Sequence, residues 1–335
     1  MFKFGPKFIK RLHLPIFVLF GAALSQNTIG LALAQSESSN SKASAPEVKA
    51  EIVSLQFPPD LSVGRLILLK PKWKADKEKS SGNPLAEAKG AVKVAGDQAI
   101  MLIANDSICQ KMNYLRRLPA NALACLVLNG TSITSRDLAQ IAQLSGLQRL
   151  ELTDTDVDDS GLQYLARLSN LQYLQLGSTL IKGTTLDQLP IRHMKNLQLD
   201  NVNLLPKAFQ AIAKFDQLRW LTLARSHVSD SGLVEIAQLS KLEVLIIPDN
   251  TDVSDLGLKK LASLKHLRRL NVANTAVTAD GLVALKGLDL KWLKVSSRYK
   301  NDKVQLKLRQ AFPLATIEFD NDHHRIPAEM FAPLH

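Results

Sequence analysis

The hydrophobic positions in the second half of the chain follow one repeating pattern, L-x-x-L-x-L-x-x-T-x-[VI]. Its first leucine-class residue falls at Leu123, Leu147, Leu171, Met194, Leu218, Leu242, Leu267 and Leu290. The steps between these positions are 24, 24, 23, 24, 24, 25 and 23 residues. A fixed period in this range predicts a stacked solenoid, in which each unit buries its apolar side only against its neighbours.

Each copy predicts a short strand, a turn and a helical segment. In the second copy, Leu150 and Leu152 alternate as inward-facing residues of a strand do. Residues 158–161 then offer acceptors for a helix N-terminus, and Leu162 and Leu165 continue at helical spacing. Because parallel crossovers are right-handed, the prediction is an α/β horseshoe. Its parallel sheet lines the concave side, helices cover the convex side, and both ends are capped.

A hydroxyl residue recurs where each predicted strand ends. It is found at Thr131, Thr155, Thr179, Ser226 and Thr275. We expect these hydroxyls to bond backbone groups of adjacent coils, and no accompanying base suggests catalysis. The fourth copy departs from the pattern with Val202 and with Pro206 at the start of its helix. The sixth copy holds one extra residue within 248–252, which predicts a local bulge.

The turn after each strand carries a second motif, T-x-[VI]-[TS]-D-x-G-L-x-x-L-A-x-L, which is best preserved at 228–233, 253–258 and 277–282. Over residues 122–297 this resembles the bacterial leucine-rich repeat family in its form of about 24 residues. The resemblance implies a curved solenoid whose concave sheet binds other macromolecules. The repeats are also similar to those of F-box ubiquitin-ligase receptors. No F-box-like pattern precedes them here, so that similarity implies a fold and not a pathway.

The first 34 residues have the pattern of a secretory signal. Basic residues at positions 3, 7, 10 and 11 precede the apolar run Leu14–Leu24, and Ala32-Leu33-Ala34 offers a cleavage site before Gln35. We therefore expect a periplasmic or secreted protein with no stable membrane insertion after cleavage. A membrane anchor is the alternative, but a run of 11 residues is short for a bilayer and the polar residues 25–28 interrupt it.

The segments around the repeats have different compositions. Residues 35–50 predict a disordered linker. Residues 51–121 predict an N-terminal cap with strands near 52–53, 66–69, 91–94 and 99–103 and a helix near 110–118. Residues 298–335 predict a C-terminal cap with a helix at 301–312 and a strand at 315–319, followed by a tail.

The net charge and the cysteine content indicate which partners and which compartment are expected. Removal of residues 1–34 takes away four basic and no acidic residues, so the formal net charge falls from +11 to +7. This excess favours acidic partners, such as an anionic envelope polymer. Nucleic acid is not expected for an exported chain. The only two cysteines, Cys109 and Cys125, are either bridged or two separate thiols. So few cysteines favour a bacterial origin.

No catalytic motif is present in the sequence: H-E-x-x-H, G-x-S-x-G and C-x-x-C are all missing. Residues 177–183 weakly resemble a phosphate loop, but the repeat register explains them. Residues 320–324 collect possible metal ligands, which we interpret as a solvated tail. We therefore expect no enzyme activity, no cofactor and no metal.

The outward positions of the predicted strands are the candidate binding site. Aromatic residues and arginine are enriched among binding hot spots. The candidate residues are Arg149, Tyr173, Trp220, Val244, Ile246, Arg269, Trp292 and Lys294. They predict a protein or peptide ligand. A glycan stacked on Trp220, Trp292 and Tyr173 is the alternative. Two further interpretations are that large side chains merely cover the sheet, or that the C-terminal cap folds over part of it.

Overall fold

The computed structural model describes residues 51–70, 73–75 and 82–320. The predicted signal segment, the linker and the metal-ligand candidates beyond Asp320 lie outside these residues. Within them, one sheet of 12 strands runs along the chain from the strand at Thr316–Phe319 back to the strand at Ile100–Ala104, and the strands at Gly64–Leu69 and Gly82–Glu87 complete it. The ten strands from Ile100–Ala104 to Thr316–Phe319 are parallel to one another. The α/β leucine-rich-repeat solenoid predicted from the sequence is confirmed.

Eight short strands carry the eight repeats at the predicted register. They are β6 (Cys125–Val127), β7 (Arg149–Glu151), β8 (Tyr173–Gln175), β9 (Asn196–Gln198), β10 (Trp220–Thr222), β11 (Val244–Ile246), β12 (Arg269–Asn271) and β13 (Trp292–Val295). The middle leucine of each strand pairs with the middle leucine of the next, as Leu126 does with Leu150. All eight are fully buried. This column forms the core that holds the coils together.

The described part of the N-terminal cap contains five strands. β1 (Ile52–Gln56) and β4 (Ala91–Ala95) form a separate antiparallel pair. β2 (Gly64–Leu69) lies antiparallel between β3 (Gly82–Glu87) and β5 (Ile100–Ala104). The sequence pattern did not predict β3, because it begins at the end of the polar stretch 72–83.

Strand β5 begins the parallel part of the sheet. Met101 pairs with Cys125, which is one repeat length of 24 residues further along the chain. β5 is therefore one more coil, with a sequence too divergent to match the repeat. Two 3-10 helices follow it, Asp106–Gln110 and Met112–Arg117, in place of the single helix predicted near 110–118.

The convex side is built from short helical segments. The α-helices are α1 (Leu162–Leu165), α2 (Pro206–Ile212), α3 (Asp230–Ile236), α4 (Asp255–Leu258) and α5 (Ala279–Val283). The 3-10 helices are Asp137–Gln140, Asp159–Gly161, Leu186–Gln188, Lys259–Ser263 and Ser297–Tyr299. The first and third copies thus have a single 3-10 turn where a helix was predicted. In the third copy Pro190 explains this, because the residue before a proline is held in an extended conformation, as Leu189 is.

The hydroxyl groups that recur in the turns form mainly local hydrogen bonds. The hydroxyls of Thr131, Thr155, Thr179 and Thr275 each donate to the carbonyl three residues earlier in their own coil, at 2.6–2.8 Å. The expectation of bonds between adjacent coils is therefore wrong for these four. It holds for Ser226, whose hydroxyl reaches the carbonyl of Leu199 in the preceding coil.

The turn of the sixth copy, which holds the extra residue, supplies a bond between coils through Asn250. The Asn250 side chain donates to the carbonyl of Leu223, 2.8 Å away in the preceding coil. Its oxygen accepts from the backbone N–H groups of Ser226 and Val228, each at 3.0 Å. Asn250 is buried. The amide thus satisfies backbone groups that the longer turn would otherwise leave buried and unpaired.

Aspartates at the starts of the convex segments link successive coils. Asp230 accepts from the backbone N–H of Ser254 at 2.7 Å and from its hydroxyl at 2.6 Å. Asp255 accepts in the same way from Thr278. The close approach explains the glycine of the turn motif, because a Cβ at Gly257 would lie 2.7 Å from the Cα of Asp230.

A residue in the left-handed backbone region recurs in the turn after each of the strands β6 to β12. Its φ is 67° at Gly130, 58° at Asp154, 52° at Ser178 and 55° at Asn201, and the series continues in later coils. Only the first of these four is glycine. Each turn therefore reverses the chain at a modest conformational cost.

The C-terminal cap agrees with the prediction. α6 (Asp302–Ala311) stacks beside α5, and β14 (Thr316–Phe319) adds to β13. Among the described residues, no helix is long and apolar enough to cross a membrane.

Candidate functional site: the concave face of the sheet

Two rows of side chains line the concave face at its C-terminal half. Strand pairing aligns Trp220, Val244, Arg269 and Trp292 in one row. It aligns Thr222, Ile246, Asn271 and Lys294 in the other. Since side chains alternate along a strand, both rows face away from the leucine core, as the sequence predicted.

The N-terminal half of the same face is covered by the chain that follows β2. Trp73 and Ala75 are buried there, and they belong to one hydrophobic cluster with Met101, Cys125 and Tyr173. This cluster lies on the opposite side of the sheet from the leucine core. The first concave positions are therefore interior rather than accessible surface.

Arg149 and Tyr173 are held beneath this cover. The guanidinium carbon of Arg149 lies 3.5 Å from the centroid of the Tyr173 ring, which is a cation–π contact. Arg149 Nε donates to Glu151 Oε1 at 2.6 Å, and one of its terminal nitrogens donates to the carbonyl of Ala75 at 3.2 Å. Burial raises the pKa of Tyr173. These contacts give both residues a structural role, and neither is accessible to a partner in this structure.

The centre of the face is polar and largely buried. Asn196 and Gln198 occupy the concave positions of β9, and both are buried. Asp200 follows them, and its carboxylate accepts from the Thr222 hydroxyl and from the backbone N–H of Ala224, each at 2.7 Å. Burial nevertheless raises the pKa of Asp200. This centre separates the covered half from the apolar half.

Trp220, Val244, Ile246, Arg269 and Trp292 form what we call the C-terminal concave patch. Val244, Ile246 and Trp292 make one hydrophobic cluster, and Trp220 packs against it. Val244 and Ile246 are buried, and Trp292 is only 9% exposed. Trp220 and Arg269 are partly exposed. Burial also lowers the pKa of Arg269, which still remains a cation at neutral pH. The patch thus offers a tryptophan and an arginine above an apolar base.

Lys294, the last candidate residue, is engaged within the chain. Its ammonium lies 3.5 Å from the Asp320 carboxylate, and both side chains are largely buried. Asp320 also accepts from the Asn274 side chain at 3.0 Å. Lys294 therefore ties the C-terminal cap to the edge of the patch.

Cys109 and Cys125 are not bridged in this structure. Cys125 is fully buried in the concave cluster. Cys109 packs against the leucine core, and its thiol lies 3.6 Å from Asp106. The two residues belong to clusters on opposite sides of the sheet, which explains why they do not pair.

Three features of this face were missed by the sequence reasoning: the cover, the Glu151 partner of Arg149, and Asp200. The cover had one signal, because Trp73 is the only tryptophan outside the repeats and stands in a stretch rich in charge. Within the described residues, no group of three histidine, cysteine, aspartate or glutamate side chains could hold a metal ion.

The similarities to known proteins concern the repeats. A sequence profile of the family described as "Leucine Rich repeat" matches residues 146–166 and 263–286. No curated protein sequence matches the chain. Among solved structures, the chain is similar to internalin C2 from Listeria monocytogenes, with 26% identity over 58% of this chain and 80% of that one and a TM-score of 0.46. It is also similar to an internalin, InlF, from the same organism, with 16% identity over 69% and 85% and a TM-score of 0.35.

The two profile matches coincide with structural repeats. Residues 146–166 span β7 and the helical segment that follows it, and residues 263–286 span β12 and α5. The other copies share the strand register and the buried leucine column of these two. The chain is therefore a leucine-rich repeat protein.

Proposed function

We propose that this chain is an exported, non-catalytic binding protein that holds a protein or peptide partner on the C-terminal half of its concave face. One observation carries the proposal: Trp220 and Arg269 are partly exposed on the two coils that flank β11, with the buried Val244 and Ile246 between them. Tryptophan and arginine are the side chains that most often dominate protein interfaces.

The strands that carry the C-terminal concave patch are rigidly held, which favours binding of a partner. Its residues stand on strands whose inward leucines, Leu221, Leu245 and Leu270, are fully buried. A backbone held in this way loses little freedom when a partner binds, so more of the contact energy contributes to affinity. The N-terminal half offers no equivalent, since the Trp73 segment covers it.

The exposure of the aromatic rings on the concave face also favours one class of partner. Tyr173 and Trp292 are buried, which leaves Trp220 as the accessible one of the three rings that could stack on a sugar. This favours a protein partner over a glycan. An acidic partner fits best, because Arg269 lies in the patch and the chain carries an excess of basic residues.

Export rests on the sequence of residues 1–34, with cleavage expected after Ala34. A bacterial periplasm or secreted fraction is the compartment that we propose. Mass spectrometry of the protein recovered from cell fractions tests this. A product that begins at Gln35 outside the cytoplasm is expected, and an intact Met1 start in the cytoplasm would contradict it.

The binding proposal is tested by alanine variants of the patch. Trp220→Ala and Arg269→Ala should each weaken binding to a protein captured from envelope extracts by about 2 kcal/mol, or about 30-fold, with unchanged melting. Tyr164→Ala and Arg167→Ala on the convex side are the matched controls and should bind normally. A glycan array is probed in parallel. Normal binding by both patch variants, or binding to glycans alone, would overturn the proposal.

A further inference from the structure

The two ends of the long sheet differ in how they are protected. At the N-terminal end, β3 contains Pro84, and its pairing with β2 is shifted between Leu66 and Ile67. Both features discourage a further strand from adding to that edge. At the other end, β14 pairs with β13 on one side, and no strand within the described residues pairs with its other side.

The free side of β14 presents backbone groups in a defined pattern. The backbone N–H groups of Thr316 and Asp320 donate to carbonyls of Lys291 and Val295, next to or within β13, at 2.9 Å. Because these groups alternate in direction along a strand, Ile317 and Phe319 direct their N–H and C=O groups outward. Unpaired edge groups of this kind readily accept another strand.

Apolar surface continues beyond the edge. Leu306 on α6 is 60% exposed, and Leu314 in the turn before β14 is 68% exposed. A groove of about 400 Å³ connects α6 with the strand. It is lined by Arg309, Phe312, Pro313, Ala315, Thr316 and Ile317. The edge thus combines free hydrogen-bonding groups with apolar side chains that an incoming surface would bury.

We propose that this edge pairs with the β14 edge of a second copy of the chain, in antiparallel orientation about Ile317. In this register the outward N–H and C=O groups of Ile317 meet those of Ile317 in the other copy, as in a hydrogen-bonded antiparallel pair. Thr316 then faces Glu318 of the other copy on the concave side. The two-fold arrangement is closed, so it gives a dimer and not a fibre.

The alternative registers are less favourable. A pairing centred on Glu318 would place the two carboxylates directly opposite each other, and like charges at such positions are destabilising. Self-complementarity about Ile317 is what favours a second copy over an unrelated strand.

The test changes the charge opposite Glu318 and measures the dimer dissociation constant by analytical ultracentrifugation. It uses the full chain, purified as the cell produces it. Thr316 is exposed, so its substitutions should leave the fold intact, which melting checks. Thr316→Glu should weaken the dimer about fivefold, and Thr316→Lys should strengthen it by a similar factor.

The expected effects of Thr316→Glu and Thr316→Lys on the dimer are opposite to those that net charge alone would produce. The chain is basic, so an added lysine raises general repulsion between copies and an added glutamate lowers it. Asn83→Glu and Asn83→Lys on the exposed part of β3 are the matched controls for that general effect. A monomer at all concentrations overturns the proposal, including the case in which residues after Asp320 occupy the edge. So does a dimer that responds equally to changes at 83 and 316. The concave-face function stands independently of either result.

Discussion

The contact between Arg149 and Glu151 separates a structural role from a binding role on the concave face. The two side chains are 9% and 11% exposed, and 2.6 Å separates Arg149 Nε from Glu151 Oε1. Arg149→Leu would remove the guanidinium and leave the carboxylate buried, with Asn129 as a remaining donor at 2.9 Å. Removing one partner of a buried ion pair costs about 3–5 kcal/mol. We expect about 3 kcal/mol, because Asn129 compensates in part.

Two further variants make this expectation specific. Arg149→Leu with Glu151→Leu should cost only about 1 kcal/mol, since no charge is left buried and unpaired. Arg219→Leu is the matched control, because Arg219 and Glu243 form an ion pair whose side chains are 49% and 32% exposed. Its loss should change the free energy of unfolding by less than about 1 kcal/mol.

Urea unfolding followed by circular dichroism measures these differences, and binding of the captured partner is measured below the transition. We expect Arg149→Leu to unfold at a lower urea concentration and to bind normally while it is folded. A variant with unchanged stability and lost binding would contradict the structural role of Arg149 and would indicate that Arg149 contacts the partner.

Three other perturbations follow from the turns and the centre of the face. Gly257→Ala should lower the free energy of unfolding by about 1–3 kcal/mol, as a lower melting temperature, because the new methyl would collide with Asp230. The φ of Asp154 is 58°, so Asp154→Gly should raise the free energy of unfolding by about 0.5 kcal/mol and Asp154→Val should lower it by about 1–2 kcal/mol. Equal melting temperatures of the two variants would contradict the left-handed turn. Burial raises the pKa of Asp200 in the fold above its unfolded value. Its stabilising contribution is therefore present below the unfolded pKa and lost as pH rises through the folded pKa, so Asp200→Asn should remove this part of the stability–pH profile in urea titrations.

Much of the fold was predictable because the repeat leaves few alternatives. The spacing of Leu126, Leu150 and Leu174 fixes which side chains face the core, and a slip of one residue would expose all of them. The cap elements at 302–311 and 316–319 were predictable for a related reason: helical and strand patterns are local.

The accessibility of the concave face was not predictable from the repeat register. Register correctly places Arg149, Tyr173 and Trp220 on one side of the sheet. Whether a residue there meets solvent depends on a segment some 75 to 100 positions away, and Trp73 has no periodic neighbours that would mark it as a cover. The extra coil at Ile100–Ala104 was missed because its leucine pattern has diverged while its backbone pairing has not.

The conformation of the turns could be predicted only in part from the sequence. The sequence marks where the chain reverses, but a left-handed residue such as Asp154 or Ser178 carries no strong signal, because aspartate and serine are common in every kind of turn. The length of each convex segment depends on how tightly the neighbouring coils approach, and that distance is a property of the packed solenoid.

Site-specific photo-crosslinking shows which face of the solenoid contacts a partner. A photoreactive phenylalanine analogue replaces Trp220 on the concave face in one variant and Tyr164 on the convex side in another, and each is irradiated in envelope extracts. Both positions are partly exposed aromatic residues, so they differ mainly in the face that they report. We expect a discrete cross-linked protein from position 220 that is missing from position 164. A protein adduct from position 164 alone, or only carbohydrate adducts from position 220, would contradict it.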